Sequence, residues 1–203
     1  GKAVLFESGI YAVLPTDMSE TLALAALDVA GAPAQVAKLV KPCQSVAILG
    51  SAGKSGMLCA YEAVKRVGPT GRVIGVVRNE KEKELLKRVS DKVRIVIADA
   101  TKPMDVLHAV LEANDGNEVD VAINCVNVPN TEMSTILPVK EFGIAYFFSM
   151  ATGFSKAALG AEGVGKDITM IVGNGYTVDH AAITLEELRE SAALREIFNE
   201  LYL

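Results

Sequence analysis

Gly50-Ser51-Ala52-Gly53-Lys54-Ser55-Gly56 places three glycines at a spacing of three, after the apolar run 45–49 (SVAIL) and before the amphipathic stretch 54–67. In a strand-turn-helix unit the first glycine permits the tight turn. The second lets the backbone approach a pyrophosphate, and the third lets helix and strand pack closely. Free amides at the helix start complete an anion site. The chemistry this pattern serves is the holding of a dinucleotide, although the spacing is GxxGxxG rather than GxGxxG, and a plain turn is the competing reading. Gly53-Lys54-Ser55 also resembles the end of a triphosphate-binding loop. That loop needs a glycine five positions earlier, where this chain has Ile48, so a kinase or ATPase is excluded.

Other candidates follow from where a dinucleotide would extend. After the second strand stand Arg78 and Asn79. A guanidinium there pairs with a 2′-phosphate and favours NADP, against an ordinary exposed arginine beside the 80–84 charge run. Asp99, just past the third strand, either reaches the adenine edge or makes an Asx turn. Asn124, Cys125 and Val126 end the fourth strand, with Asn127 behind them, and Ser149 and Thr152 follow the fifth; these flank the crevice expected at the carboxyl ends of the strands. As a nucleophile Cys125 lacks an adjacent base in sequence. Gly173-Asn174-Gly175-Tyr176 reads as a turn at the same edge, and Tyr176 and His180 are the candidate acid or base groups, against purely structural roles.

The elements that must position these groups alternate. Short β-branched runs at 45–49, 72–77, 93–98, 119–124, 144–150 and 168–172 are separated by amphipathic helical stretches, the pattern of βα units around a parallel sheet. The expected fold is α/β, a doubly wound six-stranded dinucleotide-binding (Rossmann) sheet of order 3-2-1-4-5-6. Residues 1–42 fall outside the alternation. They read as two short strands, at 4–6 and 10–14, and a helix pair, a lead-in that belongs to or links a separate catalytic domain. The dinucleotide domain is then 43–183. A single C-terminal helix over 184–203 starts at a capping box formed by Thr184 and Glu187.

Composition narrows the function classes. The 203 residues carry 20 basic and 25 acidic side chains, a net charge of −5, with no Trp. This offers no basic footprint for nucleic acid. Cys43, Cys59 and Cys125 are odd in number, form no CxxC pair and lie far in sequence from His108 and His180, so neither a disulfide framework nor a structural metal is expected. No segment reads as a membrane anchor or leader, and the expected location is the cytoplasm.

The stretches 22–36 (LALAALDVAGAPAQV), 48–56 (ILGSAGKSG), 120–124 (DVAIN) and 173–176 (GNGY) together resemble the L-erythro-3,5-diaminohexanoate dehydrogenase family of anaerobic lysine fermentation. A helical lead-in before the dinucleotide domain is also the order of medium-chain dehydrogenases. The resemblance implies an NAD-linked enzyme, whereas Arg78 pulls toward NADP, so the expected cofactor is NAD(P). It implies that this chain is the C-terminal, cofactor-binding part of a longer enzyme. The implied reaction is reversible oxidative deamination of 3,5-diaminohexanoate to 5-amino-3-oxohexanoate. The apolar strand 168–172 lies at the outer edge of the expected sheet and would leave backbone groups unpaired, so a homodimer through that edge is expected, an assembly that medium-chain dehydrogenases often form. Two other readings stay open: a non-catalytic dinucleotide-sensing domain, and another medium-chain dehydrogenase acting on a quinone or alcohol.

Overall fold

A computed structural model describes residues 1–173 and 175–202. Asn174 lies outside the described residues. Six parallel strands form one sheet: β1 (Ser45–Leu49), β2 (Arg72–Val77), β3 (Val93–Ile97), β4 (Val119–Asn124), β5 (Val139–Phe147) and β6 (Thr169–Val172). Their order is β3-β2-β1-β4-β5-β6, as expected from the sequence.

The continuous apolar character of β1 has a simple cause. Successive residues of a strand point to opposite faces, and here both faces are covered. Val46 and Ile48 enter one core layer, while Ala47 and Leu49 enter the other. The first layer is closed by α1 (Glu20–Leu27), α2 (Gly31–Leu39), α3 (Lys54–Val67), α4 (Glu80–Val89), α8 (His180–Glu190) and α9 (Ala192–Tyr202). The second is closed by α5 (Pro103–Ala113), α6 (Glu132–Ile136) and α7 (Phe154–Gly163). α7 is absent from the sequence reading, because its Ala- and Gly-rich face offers little hydrophobic periodicity.

Three differences from the sequence reading have physical causes. Residues 4–6 and 10–14 form no strands, and Val4, Phe6 and Val13 are exposed; β-propensity alone does not make a strand when no neighbouring strand pairs with its backbone. The C-terminal segment is two helices rather than one, so a boundary at 183/184 falls inside α8. Ser191 breaks the run in an extended conformation, and its Oγ accepts from the Leu194 amide at 3.1 Å. Thr184 and Glu187 therefore make no capping box; both are fully buried within α8. Finally, β5 starts five residues before the expected Ile144. Phe142 adopts φ 61° and the register against β4 shifts between Val119 and Val121, a bulge that hides the period of two.

Among the described residues no single helix is long and apolar enough to cross a membrane. α1 and α2 together have the length, but they meet at 55° and pack Leu22, Ala26, Ala32 and Val36 into the first core layer.

Candidate dinucleotide site

The glycine loop is built as its spacing requires. Gly50 sits at φ 74°, and its amide and that of Ser51 donate to the Val76 carbonyl at 3.1 and 3.3 Å, tying the turn to β2. A Cβ on Gly50 would lie 3.0 Å from Val126 Cγ2 and 3.2 Å from the Cys125 carbonyl carbon. A Cβ on Gly56 would lie 2.1 Å from the Gly50 carbonyl oxygen, so only glycine allows α3 to rest on the turn. Gly53 is different. Its sole close neighbour would be the Gly50 oxygen at 3.3 Å, which leaves its outer side open.

The amide donors are not quite those the spacing suggests. The Gly53 N–H is already taken by the Gly50 carbonyl at 3.0 Å. The free donors are the first-turn amides of Lys54, Ser55 and Gly56, which have no partner within the helix. They open on a cleft of about 860 Å³ at the carboxyl ends of β1, β2, β4 and β5, whose walls include Ala52, Val76, Val77, Ala98, Val126 and Phe148. Lys54 Nζ pairs with Asp28 at 2.9 Å and stands 5.3 Å above the Tyr202 ring, at the rim.

Of the remaining sequence candidates, Arg78, Asp99, Cys125, Val126 and Ser149 line the cleft. Arg78 is engaged: its Nε and its amide donate to the two oxygens of Glu82 at 2.8 and 2.9 Å. Partial burial works against ionisation of Glu82, but these Arg78 hydrogen bonds outweigh it and hold the carboxyl below its usual range. Asp99 Oδ1 accepts from the Thr101 amide at 2.9 Å and its hydroxyl at 2.7 Å, an Asx turn, and the first of these bonds most lowers its carboxyl.

Other candidates face elsewhere. Ser51 is buried, its Oγ donating to the Val76 carbonyl at 3.2 Å. Asn79 caps α4 by accepting from the Glu82 amide at 3.0 Å. Asn124 is fully buried and donates to the hydroxyls of Thr131 and Thr135 at 2.8 and 2.9 Å, while its Oδ1 accepts from the Val126 amide at 2.9 Å. It pins the wall loop rather than touching a ligand. Thr152 has a buried Oγ1 with no hydrogen-bond partner and does not line the cleft. Tyr176 and His180 meet edge to face at 5.2 Å. Tyr176 lines a separate pocket of about 460 Å³ with Gln35, Lys38 and Arg66, so the structure does not bring the two candidate acid or base groups to the cleft.

Sequence reasoning missed Asp28 and Val29 on the α1–α2 turn, Glu82, and the apolar pair Phe148 and Met150, all of which line the cleft. For Glu82 a signal existed, since Arg78 lies four residues before it. For Asp28 and Val29 there was none, because they stand more than twenty residues upstream of the loop they face.

Along its whole length the chain is similar to L-erythro-3,5-diaminohexanoate dehydrogenase. It is 94% identical over 203 residues to that protein of Fusobacterium nucleatum subsp. nucleatum and 68% identical to that of Acetoanaerobium sticklandii, covering 100% of this chain in each case. The chain spans 59% of the length of both curated relatives. No protein-family model matches it. Among solved structures, an alcohol dehydrogenase from Thermus sp. ATN1 superposes with a TM-score of 0.66 at 20% identity, over 90% of this chain and 53% of its own. A mycobacterial protein solved with NADPH superposes at 0.61 and 19% identity, over 95% and 57%. These two likenesses show the fold.

Proposed function

We propose that the chain binds NAD or NADP in the cleft at the glycine loop and forms the cofactor-binding part of an oxidoreductase that oxidatively deaminates 3,5-diaminohexanoate to 5-amino-3-oxohexanoate. The observation that carries the cofactor reading is the open first turn of α3, with free amides at Lys54, Ser55 and Gly56 beside a Gly53 that leaves room for a pyrophosphate. The substrate reading is supported by the 94% identity to a dehydrogenase of that name.

Acceptance of hydride from carbon 3 of the diamino acid is the chemistry a nicotinamide supplies when bound. The chain's own residues do the rest. First-turn amides and the helix dipole hold the diphosphate. Arg78 and Glu82 flank the end of β2, where the adenosine ribose is read, so a 2′-phosphate would have to draw the guanidinium away from Glu82. Cys125, Val126 and Ser149 form the opposite wall, and the half-buried Phe148 adds apolar surface beside them.

Calorimetric titration of the chain with NAD and NADP tests the reading. Gly53→Val should abolish binding while leaving the circular dichroism spectrum unchanged, because the new side chain fills the approach path and has only one close neighbour in the fold. Equal affinity of the two proteins would refute it.

A further inference from the structure

Cys59 and Cys125 are 66 positions apart in sequence, yet the fold sets their sulfurs 3.9 Å from each other. Cys59 lies in the second turn of α3 and is fully buried, whereas Cys125 follows β4 and lines the cleft. The two thiols are not equivalent. Burial pushes the Cys59 thiol well above its usual value. The hydrogen bond with Cys59 holds Cys125 below its own, with Ser55 adding to the effect against burial. The thiol of the cleft-lining residue is thus the one that ionises first, and thiolate is the nucleophilic form. Tyr146, whose buried hydroxyl has no hydrogen-bond partner, is kept protonated by burial and by these two thiols, so it does not serve as their base.

We propose that Cys59 and Cys125 are a reversible dithiol–disulfide pair that hydrogen peroxide oxidises through the cleft. The Cys125 thiolate attacks one peroxide oxygen and the O–O bond breaks. Cys125 becomes a sulfenic acid, and the departing hydroxide leaves as water with the proton the thiol gave up. The Cys59 sulfur then attacks the Cys125 sulfur and the S–O bond breaks. The second hydroxide leaves as water with the proton from Cys59. Two thiols lose two electrons and two protons, and one peroxide becomes two waters. Closing the gap to the S–S bond length of about 2.05 Å requires the side chains to rotate toward each other. The bond would join α3 to the end of β4 beside Gly50, so a dinucleotide in the cleft would stand in the oxidant's path. Only that last statement rests on the proposed cofactor reading.

The test uses the 203-residue chain carrying Cys43→Ser, which removes the exposed third thiol. Peroxide should remove both remaining thiols from titration and lower the intact mass by about 2 Da, the two hydrogens lost. The product should be monomeric on a non-reducing gel and be restored by dithiothreitol. With Cys59→Ser added, Cys125 should instead be trapped as a dimedone-reactive sulfenic acid. Retention of both thiols in excess peroxide, or a sulfinic acid at Cys125 with no species lighter by two hydrogens, would overturn the pair. Saturating NADP should slow the reaction several-fold. If calorimetry shows NADP bound but the rate is unchanged, entry through the cleft is overturned. If neither NAD nor NADP binds while the disulfide forms, the pair stands and the cofactor reading fails.

Discussion

Replacing Glu187 with glutamine should change how the stability of this protein depends on pH. Glu187 is fully buried on α8, and neither of its carboxyl oxygens has a hydrogen-bond partner. Glu62, also fully buried, faces it from α3. One Glu62 oxygen takes Arg66 Nε at 2.6 Å; the other has no hydrogen-bond partner and lies 3.5 Å from Lys65 Nζ. Burial pushes the Glu187 carboxyl well above its ordinary value, the charge of Glu62 adds to the shift, and Lys65 opposes it. The folded chain therefore keeps a proton on Glu187 at a pH where the unfolded chain has released it. Stability from this group is greatest below the unfolded value of about 4.3 and is lost as pH rises from there toward the folded value. One such group changes stability by at most about 1.4 kcal/mol per pH unit. Glutamine has nearly the same shape and does not titrate. The stability of Glu187→Gln relative to the parent should thus rise with pH by about 1 kcal/mol per unit above about pH 4.3 and level off once pH passes the folded value, which at this size corresponds to about 2–4 °C in melting temperature per unit along the rise. Urea unfolding of both proteins at several values from about pH 5 to about pH 8 measures the difference. A constant offset across the range, or a disadvantage that widens with pH, would show that Glu187 is ionised in the fold.

Gly56→Ala should destabilise the chain by about 1–3 kcal/mol or more in denaturant melts, because its Cβ would meet the Gly50 carbonyl oxygen at 2.1 Å and backbone must shift. Arg78→Asp should move the cofactor preference toward NAD in competition titrations, since a 2′-phosphate would meet a like charge; an unchanged ratio would mean the Arg78–Glu82 pair is only a surface feature. Thr169→Pro, at the first residue of the edge strand β6, should convert a homodimer to monomers in analytical ultracentrifugation. A parent chain that is monomeric at high concentration would refute pairing through that edge.

Features that depend on local pattern were legible before folding. Six apolar runs at helix-length spacing specify parallel strands covered on both faces, and the glycines at 50, 53 and 56 specify the turn, because each acts through its own backbone and its nearest neighbours. Local pattern also misled. Thr184 and Glu187 have the spacing of a capping box, but the apolar residues around them carry that turn of α8 into the core, and burial against α2 and α3 overrides the cap. Residues 10–14 have strand propensity without a strand to pair with.

Which side chains share the cleft depends on segments that folding brings together from distant parts of the chain. Asp28 reaches Lys54 across 26 positions, Cys125 reaches Cys59 across 66, and Asn124 turns inward to Thr131 and Thr135 because a buried amide must find hydrogen-bond partners. Folding also set Tyr176 and His180 beside a different pocket, although their sequence position just after β6 pointed to the carboxyl edge. The physical reason is the same in each case. A crossover fixes where a strand ends, whereas the direction of a side chain beyond that end is set by whichever packing and hydrogen bonds the folded chain brings to it.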